Sequence, residues 1–299
     1  MRVAVTGASG FVGRHLTHEL VGAGHEVLGV GREPEGPEGA SGYVRADLIE
    51  GWPAAEVGHV DAVVHLAALA AVGPSFDAPQ RYLEANSAPV TSLCEALLVG
   101  GRPVRLLNVS TGAVYAPGTG IAESAPTVAS SPYVVSKLLT ELQASYYRRR
   151  GLDVVTVRPF NHIGPGQGVG FLLPDLVGSV TAARKSGGAV TVGNLDTRRD
   201  YTDVRDVVRA YRLLLEAPSV DAEIVNVCSG AAVSGRSILE SVLLAMPGSD
   251  VSVEVDQARV RPNDPAEISG DSSLLHSLTG WAPRISLEET VRDFVAALG

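Results

Sequence analysis

Short apolar runs alternate through the first half of the chain with stretches whose apolar side chains recur every three or four positions. Val3-Ala4-Val5, Glu26 to Val30, Ala62 to Leu66, Val104 to Val109 and Asp153 to Arg158 read as strands. Between the first two, Phe11, Leu16 and Leu20 follow a helical period until Gly22 and Gly24 stop it. Ser131-Pro132 is a helix start, a capping hydroxyl followed by the imino acid favoured in a first turn, and it predicts a long helix leading to Asp153. Continuously apolar strands separated by helices imply a parallel sheet covered on both faces, an α/β, doubly wound arrangement.

After Pro159 the rhythm breaks. Gly164-Pro165-Gly166-Gln167-Gly168 and Gly187-Gly188 read as loops and strands become sparse, which divides the chain into residues 1–165 and a smaller C-terminal α/β lobe, 166–299. A segment near 200–228 is expected to return to the first unit, because Ile224-Val225-Asn226-Val227 is a strand of the same apolar kind. Val251 to Pro262 reads as a basic strand-and-loop stretch, Leu287 to Leu298 as a last helix, and residues 31–42, rich in Gly, Pro and Glu, as a surface loop.

Composition narrows the chemistry. At 299 residues, 45% hydrophobic and 19% charged, the chain can bury a large core unaided. A net charge of −9 argues against nucleic acid as a partner. Apolar runs are too short for a membrane span, and the opening strand breaks into glycines too early for a secretion leader. Cys94 and Cys228 make no disulfide framework, so a reducing, cytoplasmic setting is expected, and the scattered His and Cys predict no metal site. Of the 24 basic residues only Lys137 and Lys185 are lysines. A lysine kept against such a bias toward arginine has a job that a guanidinium cannot do.

Gly7, Gly10 and Gly13 lie between the first strand and the first helix. Glycines there allow a tight turn, close approach of a pyrophosphate and helix–strand packing, with the anion resting on the helix N-terminus. Gly7, Ser9, Gly10, Phe11 and Val12 are therefore candidate dinucleotide contacts. Dinucleotides without a 2′-phosphate call for an acid at the end of the second strand, whereas a cation suits the phosphate. Gly31-Arg32 stands there, followed by Glu33, so NADP(H) is preferred and NAD(H) possible.

Tyr133 and Lys137, four apart on the predicted helix, share a face. A phenol titrates near ~10, and a neighbouring ammonium is expected to lower that value and make it a proton carrier for a carbonyl or alcohol. Ser110 and Thr111 end a strand at the sheet's C-terminal edge, and strand alternation turns only one of them toward the tyrosine.

Taken together, these residues resemble the extended short-chain dehydrogenase/reductase family, in its branch that acts on nucleotide sugars. The motifs are Thr6-Gly7-x-x-Gly10-Phe11-x-Gly13, Asp47-Leu48, His65-Leu66-Ala67-Ala68, Ser110-Thr111-x-x-Val114-Tyr115, Tyr133-x-x-x-Lys137, Arg158-Pro159-x-Asn161 and Arg199-Asp200-Tyr201. The resemblance implies that Asp47 and Leu48 contact adenine, that Leu66, Ala67 and Ala68 line the cofactor groove, and that Thr111 is the catalytic hydroxyl beside Tyr133 and Lys137. It also implies that Asn161, Arg199 and Arg261 hold the diphosphate of a nucleotide sugar, and that helices near 80–99 and 133–149 build a homodimer.

Dehydratases similar to this chain carry acids directly after the catalytic threonine. Gly112 and Ala113 stand there instead and cannot move a proton. The segments Asn161 to Gln167 and Gly193 to Asp206 are similar to GDP-4-keto-6-deoxymannose reductases. This points to NADPH-dependent reduction of a C4 ketone on a GDP- or dTDP-linked 4-keto-6-deoxyhexose. An NAD-dependent 4-epimerase and a non-catalytic NADP-sensing module are the alternatives.

Overall fold

The computed structural model describes residues 1–248, 250–260 and 264–298. Its first half is built from β1 (Arg2–Thr6), α1 (Phe11–Gly22), β2 (Glu26–Gly31), β3 (Gly42–Arg45), α2 (Ala54–Val57), β4 (Ala62–His65), α3 (Val72–Ser75), α4 (Pro79–Gly100), β5 (Arg105–Val109), α5 (Pro132–Arg149) and β6 (Asp153–Pro159). The remainder adds β7 (Asn161–Ile163), α6 (Leu172–Ser186), β8 (Val190–Val192), β9 (Arg198–Asp203), α7 (Val204–Glu216), β10 (Ile224–Val227), β11 (Ala232–Ser234), α8 (Gly235–Ala245), β12 (Val253–Val255), β13 (Glu267–Ile268), α9 (Ser273–Thr279) and α10 (Leu287–Ala296).

Seven parallel strands form the main sheet in the order β10-β6-β5-β4-β1-β2-β3. Alternation along β1 explains why both faces needed apolar residues. Val3 and Val5 join Leu16 and Leu20 of α1 and Val207, Tyr211 and Leu214 of α7 in one core, while Ala4 joins Val90, Leu93 and Leu97 of α4 and Tyr147 of α5 in the other. The chain is thus a Rossmann-type α/β fold, as the periodicity predicts. Strand order reverses between β1 and β4, and in such sheets the crevice at that switch, beyond the strands' carboxyl ends, is where ligands bind.

Periodicity does not reveal β3, a four-residue, half-exposed edge strand with little apolar signal, and α4, whose period is interrupted by Pro89, is the helix near 80–99 that the family resemblance implies. The strand Ile224–Val227 does rejoin the main sheet, pairing with β6. A third core gathers α6, β8, α8 and α10. A small sheet, β11-β9-β13 with β7 alongside β9, connects it to the end of β6.

Candidate active site

Between β1 and α1 the chain turns so tightly that side chains have no room. Gly7 has φ 65°, and a Cβ there would lie 3.1 Å from the Ala67 backbone; at Gly13 it would lie 2.3 Å from the Gly7 carbonyl oxygen. Gly10 caps α1 without a side chain, so the first-turn N–H groups have no side-chain acceptor and suit an anion. Thr6 locks this turn to the next strand. Its hydroxyl accepts from Leu66 N at 3.1 Å and Ala67 N at 3.0 Å, leaving its own hydrogen for His65 Nδ1 at 3.0 Å. His65 is therefore neutral with its proton on Nε2, and burial together with the Lys137 charge pulls it down to about 3.

A cavity of about 290 Å³ opens over this turn. Gly7, Ser9, Gly10, Arg32, Asp47, Leu48, Leu66, Ala67 and Ala68 all line it, with Glu33, the acid that follows Arg32, and with Tyr43 and Arg81, to which no sequence motif points. Tyr43 fills the space left by Gly29 and Gly36, where an added Cβ would come within 2.9 and 2.8 Å of its ring. Arg81, in the first turn of α4, belongs to no motif that the sequence displays. A glycine cradle at a helix N-terminus, an apolar wall at Leu66 to Ala68 and a guanidinium at the far edge together fit a dinucleotide. Phe11 and Val12 lie outside that lining: Phe11 stacks on His162 with ring centroids 6.2 Å apart, and both pack against the core shared by α1 and α7.

Tyr133 and Lys137 also lie outside the cavity lining, buried on α5. The Ser131 hydroxyl caps this helix by accepting from Val134 N at 3.2 Å. Ser110 and Thr111 do diverge: Ser110 donates to Glu141, whereas Thr111 interacts with the Tyr133 phenol and accepts from Ala113 N at 3.1 Å. The electrostatic expectation fails, however. Burial pushes the Tyr133 phenol up to about 12; the Thr111 interaction opposes the rise and the Lys137 ammonium has no part in it. The Lys137 ammonium is engaged elsewhere, its Nζ donating to the Val109 carbonyl at 2.9 Å. Burial in turn pulls Lys137 down to about 8, with Glu141 opposing.

The expected diphosphate ligands are dispersed in role. Asn161 is exposed at the start of β7, in register with Tyr201 of β9. The Arg199 guanidinium on β9 pairs with Asp264 at 2.5 Å and donates to Pro265 O at 2.9 Å. Arg261 lies outside the described residues. The neighbouring Asp200 is a buried clasp that accepts from Ser229 N, Gly230 N and Gly270 N at 2.8, 2.9 and 3.1 Å. Beside Thr111, the Phe160 ring occupies the space a side chain at position 112 would need, 2.8 Å from a Cβ built on Gly112.

Comparison with known proteins agrees with this architecture. The model of the NAD dependent epimerase/dehydratase family matches residues 3–228. The GDP-6-deoxy-D-mannose reductase of Pseudomonas aeruginosa is 33% identical over 99% of this chain and 96% of its own length. A UDP-glucose 4-epimerase of Streptomyces lividans is 32% identical over 93% of this chain and 90% of its own. Among solved structures, RMD from Pseudomonas aeruginosa, complexed with NADPH, covers 99% of this chain and 98% of its own at 33% identity and a TM-score of 0.83. MoeE5, in complex with UDP-glucuronic acid and NAD, covers 100% and 99% at 29% identity and a TM-score of 0.87. The chain belongs to the NAD dependent epimerase/dehydratase family, the extended short-chain dehydrogenases/reductases.

Proposed function

We propose that this protein is an NADPH-dependent reductase of a nucleotide-linked 4-keto-6-deoxyhexose, with GDP or dTDP as the nucleotide. The observation that carries the reading is the proton inventory beside Thr111. Tyr133 is buried beside the Thr111 hydroxyl, and burial pushes its phenol up to about 12, so it keeps a proton to give to a developing alkoxide. Thr111 steadies the same oxygen, and Lys137 supplies positive charge at the sheet end. Gly112 and Ala113 offer no further acid or base, and the Phe160 ring denies position 112 a side chain, so elimination of water lacks its second proton carrier. When bound, the nicotinamide cofactor supplies the hydride. Gly7, Ser9 and Gly10 would hold its pyrophosphate, Asp47 and Leu48 its adenine, and Arg32 a 2′-phosphate. Asn161 with Arg199 and Arg261 is proposed for the sugar's diphosphate, with Asp264 released or shared. A cytoplasmic homodimer completes the reading.

The test is NADPH consumption with GDP- and dTDP-linked 4-keto-6-deoxy sugars, with products resolved by NMR. Oxidation of one equivalent of NADPH per ketone reduced is expected. One observation favours a second reading, an NAD-dependent 4-epimerase: Glu33 lines the cavity beside Arg32 and offers an acid to a ribose diol. Purified protein holding stoichiometric, non-exchanging NAD would decide for the epimerase. Failure to oxidise NADPH with any keto-sugar nucleotide would leave an NADP-binding sensor.

A further inference from the structure

Behind Tyr133 and Lys137 lies an ion pair that the proposed reaction does not use. Glu141, one helical turn beyond Lys137, is 8% exposed, and Arg158 on β6 is 4% exposed. Arg158 donates from Nε to Glu141 Oε1 at 2.9 Å and from Nη2 to Oε2 at 2.6 Å, and the Ser110 hydroxyl donates to Oε1. The Tyr115 ring covers the guanidinium at 4.6 Å, and the Tyr115 hydroxyl donates to Asn226 Oδ1 at 2.7 Å. One carboxylate thus ties α5 to the ends of β5 and β6. Buried ion pairs gain little stability over apolar packing, because both charges lose their water, so this one calls for another reason.

The reason lies in what surrounds Lys137. Its ammonium donates to the Val109 carbonyl and acts on the neutral His65 of β4, and Glu141, four residues on along the same helix, supplies the opposing negative charge; Arg158 of β6 pairs with Glu141. Without the Glu141 charge, Lys137 and Arg158 would both be buried cations deprived of the carboxylate that acts on each of them. We infer that Glu141 is a positioning residue: held by Ser110 and Arg158, its carboxylate is the counter-charge of the Lys137 ammonium and fixes the strand end that carries Thr111. For its effect on turnover the inference rests on the proposed reaction; the charge on Lys137 does not.

Because Lys137 and Lys185 are the only lysines, the charge can be read directly. Protein grown on ¹³C-lysine gives two Cε resonances, and Lys185→Arg identifies that of Lys137. In the wild-type protein the Lys137 signal titrates near 8. Glu141→Gln, which keeps the shape and removes the charge, lowers that midpoint by about one unit or more, and Glu141→Asp largely restores it. Arg158→Gln moves it the other way, and this variant serves if Glu141→Gln does not fold. The alkaline limb of turnover shifts with the midpoint. An unchanged midpoint in Glu141→Gln, or in Arg158→Gln where the first fails to fold, overturns the inference and leaves a purely structural clamp. Absence of turnover with every keto-sugar nucleotide overturns the proposed function alone, since the midpoints still decide the role of Glu141.

Discussion

At the scale of single residues, the proton inventory makes two predictions. Tyr133→Phe removes the ring hydroxyl and keeps the ring, so NADPH binding, followed by its fluorescence, should stay within about twofold while turnover falls by about 10²-fold or more. The pH dependence follows from Lys137. Its folded value is depressed to about 8 from an ordinary 10.5, so between these limits the unfolded chain binds the extra proton. As pH rises through that window the contribution of this group to stability increases, while the ammonium is lost from the site. Activity should therefore decline above about 8 with no accompanying fall in thermal midpoint, which parallel rate and melting profiles would check. The residues were legible in the sequence; their electrostatics were not. Tyr133 and Lys137 share a helical face as their spacing requires, yet the Val109 carbonyl takes the ammonium, and only the end of β5 could reveal that.

At the scale of elements, α5 and the turn before α1 carry the site. Ser131→Ala deletes the cap of α5 and should cost about 1 kcal/mol, visible as a lower denaturation midpoint, because Val134 N loses its acceptor. Gly13→Ala is harsher. The new methyl would sit 2.3 Å from the Gly7 carbonyl oxygen and 2.5 Å from that of Ala8, so α1 must move off the turn. Calorimetric titration should show NADPH affinity reduced by about tenfold or more, with a destabilisation of about 1–3 kcal/mol. Strands of the first half were readable because burial on both faces demands unbroken apolar runs. β3 was not, being a half-exposed edge, and α4, interrupted by Pro89, was reached only through the family resemblance, so Tyr43 and Arg81 on these two elements carried no signal of their own.

At the scale of the whole molecule, one surface remains to be covered. Val135, Leu139, Leu142 and Tyr146 leave a stripe on the outer face of α5 with exposures of 39, 37, 68 and 49%. We expect it to be buried in a homodimer; Leu142→Glu should then shift the mass in solution toward the monomer, as light scattering would read. Fold class, the glycine cradle and the Tyr133–Lys137 pairing were determined by sequence alone, since each is a matter of spacing along one or two adjacent elements. Tertiary structure decided what depends on distant segments meeting: which hydroxyl of Ser110 and Thr111 lies against the Tyr133 phenol, why a side chain at position 112 would collide with Phe160, and that Asp264 pairs with Arg199. It also decided the state of the protons, because burial and charge act through space and leave no local trace in the order of residues.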